Sequence, residues 1–293
     1  MKLPNPGEEP EDSKAEMPKL LIPEFGMIQH YDEKTPIPIL PKPKKSSWLT
    51  SLCNCFRGIE LGYTTQKDLP LLEPQSPENA GKNTLVLDLD ETLVHSTFTS
   101  LKSDITIEIE IDRQNFKVYV LKRPGVDEFL QKCYELFEVV FFTASLSTYA
   151  NPLLNILESK NKNASRLFRE SCSYINNTYI KDLSRLGRDL RHVIIVDNSP
   201  VSYSLQPMNA VPIKTWIDDP EDDELNSCWN VLQHLSRVDD IPKVLGEIKK
   251  RKWDLTANSL HKLIESEFIP ASRGPFNSPI HANGDKKFQF EDL

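Results

Sequence analysis

An α/β fold on a mostly parallel sheet follows from three features of this 293-residue sequence. Short apolar runs, TLVLDLD, EVVFFTA and HVIIVDN, read as strands buried on both faces. Segments with helical spacing separate most of them, and alternating strands and helices imply a parallel sheet with helices on both faces. The stretch after the first run differs: ITIEIEID alternates strictly and FKVYVLK follows it, so a hairpin is inserted across RQN. In such folds ligands gather at the carboxyl ends of the strands.

The elements follow in order. Nine of the 22 prolines fall in the first 45 residues, and that charged stretch lacks sustained periodicity. Residues 1–81 therefore read as a mostly disordered arm. Within it, KPKKSSWLTSLCNCFRG (42–58) sets lysines before an apolar knot near 48–56. Acylation of Cys53 and Cys55 would make this knot a weak membrane tether; a sticky patch in a disordered arm explains it equally well. Residues 82–240 read as the catalytic domain. There VDEFLQKCYELF has helical spacing at Val126, Phe129, Leu130, Cys133 and Phe137, and LSTYANPLLNILES forms the next helix. AVPIKTW (210–216) supplies a fourth strand, and DDELNSCWNVLQHLSRV closes the unit as an amphipathic helix. Residues 241–293 begin with a helical stretch and run into a Pro/Gly/Asn tail.

Totals narrow the function. With 35 basic and 43 acidic residues the net charge is −8, which gives no general attraction to nucleic acid. No apolar run reaches the length of a membrane-spanning helix. Five scattered cysteines fit neither a zinc site nor a disulfide framework and suit a reducing compartment.

The strand exits carry the chemistry. The first strand leaves through Asp88, Asp90 and Glu91, the FFTAS strand through Thr143 and Ser145, and VIIVDN through Asp197 and Asn198. Lys181 lies between the last two. A strand ending in carboxylates is costly unless something positive sits there. Carboxylates, an amide, a hydroxyl and a lysine together suit Mg²⁺ and a phosphoryl group. Asp88 is then the natural nucleophile, Asp90 the acid and base, and Thr92 a brace for the loop. Alone, D-x-D-x-T is a weak pattern; the other strand exits give it weight.

DLDETLVHS, VYVLKRPGVDEFL, FTASLSTYA, RLFRESC, YIKDLSRLGRDL, VDNSP and SRVDD together closely resemble the small C-terminal-domain phosphatases of the haloacid dehalogenase superfamily. The resemblance covers about 82–240. It implies a Rossmann-like fold without a large cap domain, and a protein-serine phosphatase acting on Ser-Pro sites in the RNA polymerase II tail. It further implies that Asp88 becomes phosphorylated and that Asp88, the main-chain carbonyl of Asp90, and Asn198 ligate Mg²⁺. Thr143 and Lys181 would bind the phosphoryl group, with Asp197 supporting Lys181 and the metal's water shell. Phe98, Ile109, Ile111, Val118 and Leu146 match a proline pocket on the hairpin, and Arg169 would contact phosphate or peptide. The family's place is the nucleus, while the cysteine knot allows a membrane-associated pool. FTSLKSDITIEIE is shorter than the resemblance leads one to expect around the pocket rim.

Plainer roles stand beside these. Asp88 and Asp90 could be loop caps. One of Thr143 and Ser145 would serve to cap the following helix, and Ser145 is the better cap. Arg166, Arg185 and Arg188 offer positive charge besides Arg169. A hairpin lying on the domain needs an apolar face in any case.

Overall fold

The computed structural model describes residues 69–99, 102–111, 113–158, 164–251, 259, 260, 262–264 and 268, the side chain of Ile111 excepted. The lysine-rich stretch and Cys53 and Cys55 lie outside them. No helix among the described residues is long and apolar enough to cross a membrane.

In chain order the elements are β1 (Thr84–Leu87), β2 (Val94–Thr97), β3 (Ile105–Ile111), β4 (Gln114–Lys122), α1 (Val126–Leu136), β5 (Glu138–Phe142) and α2 (Ser147–Leu157). There follow β6 (Ser165–Leu167), β7 (Ser173–Ile175), β8 (Thr178–Ile180), β9 (Val193–Asp197), β10 (Ala210–Pro212), α3 (Glu224–Leu235) and α4 (Ile241–Lys250). The main sheet runs β10-β9-β1-β5-β6, and every pairing in it is parallel. A second sheet, β2-β4-β3, is antiparallel and contains the expected hairpin, with Ile107 opposite Val118 and Ile109 opposite Phe116. The α/β architecture expected from the sequence is therefore present, and no large cap domain stands among the described residues.

Period-two alternation divides the central strands between two cores. Leu85, Leu87, Val139, Phe141, Ile194, Val196 and Val211 join one cluster with the apolar faces of all four helices. Val86, Val140, Phe142, Val193, Ile195 and Ala210 join the other. This second face differs from the expectation of helices on both sides. Leu183 and Leu186 of a short 3₁₀ turn, together with Leu72 and Tyr203, cover it. The segment after β8 is too short and too interrupted by Gly and Asp to propagate a full helix.

Helix boundaries follow local chemistry. Asp127 and Glu128 open α1, where carboxylates complement the helix dipole. Asp240 caps α4 by accepting from the Lys243 amide at 3.1 Å, and Pro242 sits in the first turn. Ile241, Val244, Leu245 and Ile248 of α4 belong to the same cluster as the sheet, as do Leu260, Leu263 and Ile264 beyond it.

Residues 69–82 dock on the second face, where Leu72 packs. The Leu71 amide donates to the Arg185 carbonyl at 2.8 Å, and Arg188 joins the Glu73 carbonyl to the Glu138 carboxylate. Gly187 makes this approach possible. Its φ is +73°, and a Cβ there would stand 2.5 Å from the Pro70 Cβ. Gly187→Ala combines a left-handed backbone penalty with overpacking, an expected loss of roughly 2–4 kcal/mol in a denaturant titration. A loss below about 0.5 kcal/mol would show that the 69–72 segment gives way freely.

Candidate active site

β1 delivers Asp88 to the open end of the sheet, where its amide donates to the Val196 carbonyl at 3.0 Å. The chain then turns sharply. Leu89 is fully buried and pins the turn to the core, so Asp88 and Asp90 fall on the same side of it. Glu91 takes the left-handed region, with φ 58°, and its amide donates to the Val94 carbonyl at 2.7 Å. A non-glycine residue there carries about 1–2 kcal/mol of strain, and the surroundings hold it in place. The Trp216 amide donates to the Glu91 carbonyl at 2.9 Å, which diverts the chain after Pro212 and ends β10 short of the expected 210–216.

Two sequence-distant groups, Lys181 and Asp197, gather beside Asp88. Lys181, at the end of the β7–β8 hairpin, donates to Asp88 Oδ1 at 2.5 Å and to Asp197 Oδ2 at 2.6 Å. Asp197 ends β9, the strand beside β1, and its other oxygen accepts from the Ser199 amide at 2.8 Å. Lys181 is 1% exposed and Asp88 6%. Burial alone would neutralise such a lysine, but the charges of Asp197 and Asp88 outweigh it and hold the ammonium well above the ordinary range. Burial pushes the Asp197 carboxyl up to about 7; the Lys181 ammonium pulls it back and the charge of Asp88 pushes it further up, so two carboxyls compete for one ammonium in this buried triad.

Thr92 is fully buried and its hydroxyl lies 3.0 Å from Asp88 Oδ2 and 3.2 Å from Asn198 Oδ1. One hydroxyl proton serves one of these oxygens at a time, so acceptors outnumber donors at this point. Asn198 turns its amide nitrogen away, donating to Thr215 Oγ1 at 3.0 Å.

Asp90 is 8% exposed and faces a different set. Tyr149 donates to its Oδ1 at 2.6 Å, and Ser145 to its Oδ2 at 2.7 Å, with the Thr143 hydroxyl at 3.4 Å. Burial pushes the Asp90 carboxyl up to about 7; the charge of Glu91 adds to this, the Tyr149 and Ser145 hydroxyls pull it back, and Asp88 adds a smaller push. A carboxyl poised there suits an acid that gives and retakes a proton near neutrality. Ser145 departs from the expected cap: α2 begins after Leu146 without any side-chain cap, and the Ser145 hydroxyl is spent on Asp90 instead.

The hairpin residues divide. Ile109 is 3% exposed and Val118 0%, so both lie within the main core. Phe98 and Leu146 are half-buried at its margin, as is Phe116, which meets Phe98 edge to face at 6.3 Å. The Ile111 side chain lies outside the described set. Arg169 donates from Nε to the Ala144 carbonyl at 2.6 Å, beside the β5 exit, and stacks over Tyr179 at 5.1 Å. Arg166 and Arg188 are committed elsewhere, to Glu158 and Glu138.

Sequence reading missed Tyr149, Phe116 and Arg123. Phe116 shares a strand face with Val118 and Val120, a period-two signal that would have found it. Arg123 has no such signal. Its buried guanidinium grips both oxygens of Asp222, at 2.7 and 2.8 Å, and donates to the Thr92 carbonyl at 3.0 Å.

Among the described residues no group of three His, Cys, Asp or Glu side chains is arranged to hold a metal. Magnesium does not need one, since one or two carboxylates with substrate phosphate and water suffice. The oxygens of Asp88 and Asn198 that crowd the Thr92 hydroxyl have the hard character this ion prefers.

A family model described as NLI interacting factor-like phosphatase matches residues 83–242. Phosphatase Herzog of Drosophila melanogaster is 47% identical over 220 residues, covering 70% of this chain and 62% of the fly protein. CTD small phosphatase-like protein 1 of Caenorhabditis elegans is 51% identical over 178 residues, covering 60% of this chain and 36% of that protein. The human carboxy-terminal domain RNA polymerase II polypeptide A small phosphatase 1 is 52% identical over 178 residues, covering 60% of this chain and 68% of that one. The chain thus spans less than two thirds of the fly and nematode relatives.

Proposed function

Because the chain belongs to the NLI interacting factor-like phosphatase family, we propose that it is a Mg²⁺-dependent protein-serine phosphatase working through an aspartyl-phosphate on Asp88. The carrying observation is the buried Asp88–Lys181–Asp197 triad at the strand exits, with Asp90 two residues from the nucleophile.

In the first step an Asp88 oxygen attacks phosphorus, and the bond to the serine oxygen breaks. Asp90 gives its proton to that departing oxygen. In the second step Asp90, now a carboxylate, takes a proton from water as the water attacks phosphorus, which frees phosphate and restores Asp88. Lys181 neutralises the phosphoryl oxygens throughout, and the Thr143 hydroxyl donates to them. Asp88, the main-chain carbonyl of Asp90 and Asn198 would hold Mg²⁺, which would supply positive charge for the phosphoryl group. Asp197 holds Lys181 in place, since its two oxygens are engaged by the ammonium and the Ser199 amide.

The substrate proposed is a phosphorylated Ser-Pro segment of the RNA polymerase II tail, and the place of action the nucleus. Support comes from the name of the human relative and from the lack of a large cap domain among the described residues. Phe98, Phe116 and Leu146 offer a half-buried apolar margin for the proline, and Arg169, bonded to the Ala144 carbonyl beside the β5 exit, would meet phosphate or peptide.

The test is phosphate release from serine-phosphorylated polymerase-tail peptides, with Mg²⁺ or a chelator. An unrelated Ser-Pro phosphopeptide serves as control. Metal-dependent release that favours the tail peptides is expected. Equal release from both would move the substrate to other phosphoproteins, and binding without release would leave a phosphopeptide adaptor.

A further inference from the structure

Tyr149 lies in the first turn of α2, fully buried, with its ring in the main core. Its hydroxyl is the one polar part, and both of its contacts lead to the reaction. It stands 2.6 Å from Asp90 Oδ1 and 2.5 Å from Ser96 Oγ. A phenol has a single proton. When Tyr149 gives that proton to Asp90, the Ser96 hydroxyl must donate to the phenol oxygen. The three groups then form a directed chain, Ser96 to Tyr149 to Asp90, in which each bond polarises the next.

The ends of this chain matter. Ser96 belongs to β2, which pairs with β4 of the inserted hairpin and lies two residues before Phe98. Asp90 has its second oxygen fixed from the opposite side by Ser145, at 2.7 Å. Both carboxyl oxygens are therefore held; Oδ2 also faces the Thr143 hydroxyl at 3.4 Å, while Oδ1 retains a lone-pair position for the proton it would transfer. A side chain free to turn about its χ angles becomes one with a set orientation.

We propose that Tyr149 is a positioning residue for Asp90, and that Ser96 extends this support to the hairpin that meets the substrate. The proposal rests on the reading of Asp90 as the acid. Its consequence concerns the bond to the leaving group. As the Asp88–phosphorus bond forms and the phosphorus–oxygen bond breaks, the Asp90 proton passes to the departing serine alkoxide, and the Tyr149 and Ser145 hydroxyls steady the carboxylate left behind. A nitrophenolate leaves without that proton. Misplacing Asp90 should therefore slow the first step with phosphoserine and spare it with p-nitrophenyl phosphate.

The experiment compares kcat/KM, which reports the steps through phosphoryl transfer, for a phosphoserine peptide and for p-nitrophenyl phosphate. The full chain, Tyr149→Phe and Ser96→Ala are measured with Mg²⁺. Tyr149→Phe keeps the buried ring and deletes only the hydroxyl. It is expected to lower kcat/KM for the peptide about tenfold or more while changing the aryl phosphate less than about threefold. Ser96→Ala is expected to change the same ratio in the same direction by less. Parallel losses on both substrates would mark a structural role and overturn the proposal, as would unchanged values on both. If Tyr149→Phe does not fold, the Ser96→Ala ratio decides alone. A wild-type chain inactive on both substrates would overturn the phosphatase reading, and the proposal with it.

Discussion

Asp88→Asn is expected to abolish turnover without unfolding the protein. An amide has the shape of the carboxylate but cannot serve as the attacking oxygen, so no route to the phosphoenzyme remains. Losing a nucleophile that works within a coupled set costs on the order of 10⁴-fold or more in kcat. Stability should move the other way. The triad holds two carboxylates against the Lys181 ammonium in a site almost closed to water. Replacing one carboxyl by an amide removes its repulsion with Asp197 while Lys181 keeps its bond to Asp197. The variant should therefore melt at or above the wild-type temperature, the signature of a site arranged for reaction at some cost to stability. A variant that releases phosphate at more than about a hundredth of the wild-type rate would contradict the nucleophile assignment.

Arg123→Met carries the largest expected loss of stability. The Arg123 side chain is fully enclosed and its partner Asp222 is 11% exposed. Removing the guanidinium strands a nearly buried carboxylate and also takes a donor from the Thr92 carbonyl. Breaking one side of such a pair costs about 3–5 kcal/mol. For a domain of this size that lowers the melting temperature by roughly 10 °C, give or take a factor of two. The double variant Arg123→Met with Asp222→Leu should recover much of the loss, because no unpaired charge remains. If the single variant melts within about 2 °C of wild type, the carboxylate is reached by water and the pair is not the anchor described here. Activity should fall with the single variant even below its melting point, since the carbonyl it releases belongs to the loop that aims Asp88 and Asp90.

The parts of the molecule legible in the sequence are those fixed by local pattern. TLVL, EVVFF and VIIVD carry unbroken apolar runs because both faces of the parallel sheet are covered, and ITIEIEI alternates because one face of the hairpin is exposed. Asp88, Asp90, Thr143, Asp197 and Asn198 could be gathered in advance because parallel strands bring their carboxyl ends together. Other parts depend on contacts no window reveals. β2 reads VHST and β6 reads SRL, too short and too polar to stand out, and they exist through pairing with β4 and β5. The β7–β8 hairpin did leave a trace: Asn176 and Asn177 both have positive φ, as a two-residue hairpin turn requires, and asparagine tolerates that region. Tyr149 fitted the apolar face of a helix, so its hydroxyl had no visible task until β2 brought Ser96 within reach. The position of Ser145 before a helix suggests a cap, whereas its hydroxyl donates to the buried Asp90 carboxyl.

The most direct test of the account is to trap the phosphoenzyme. The chain would be mixed with a serine-phosphorylated peptide and Mg²⁺, quenched in acid within milliseconds, reduced with borohydride, and mapped by mass spectrometry. Borohydride converts an acyl phosphate to the corresponding alcohol, so the modified position reports the nucleophile. Modification at Asp88 is expected, present in wild type and absent from Asp88→Asn. Phosphate release without a trapped acyl phosphate, or modification at another residue, would contradict it.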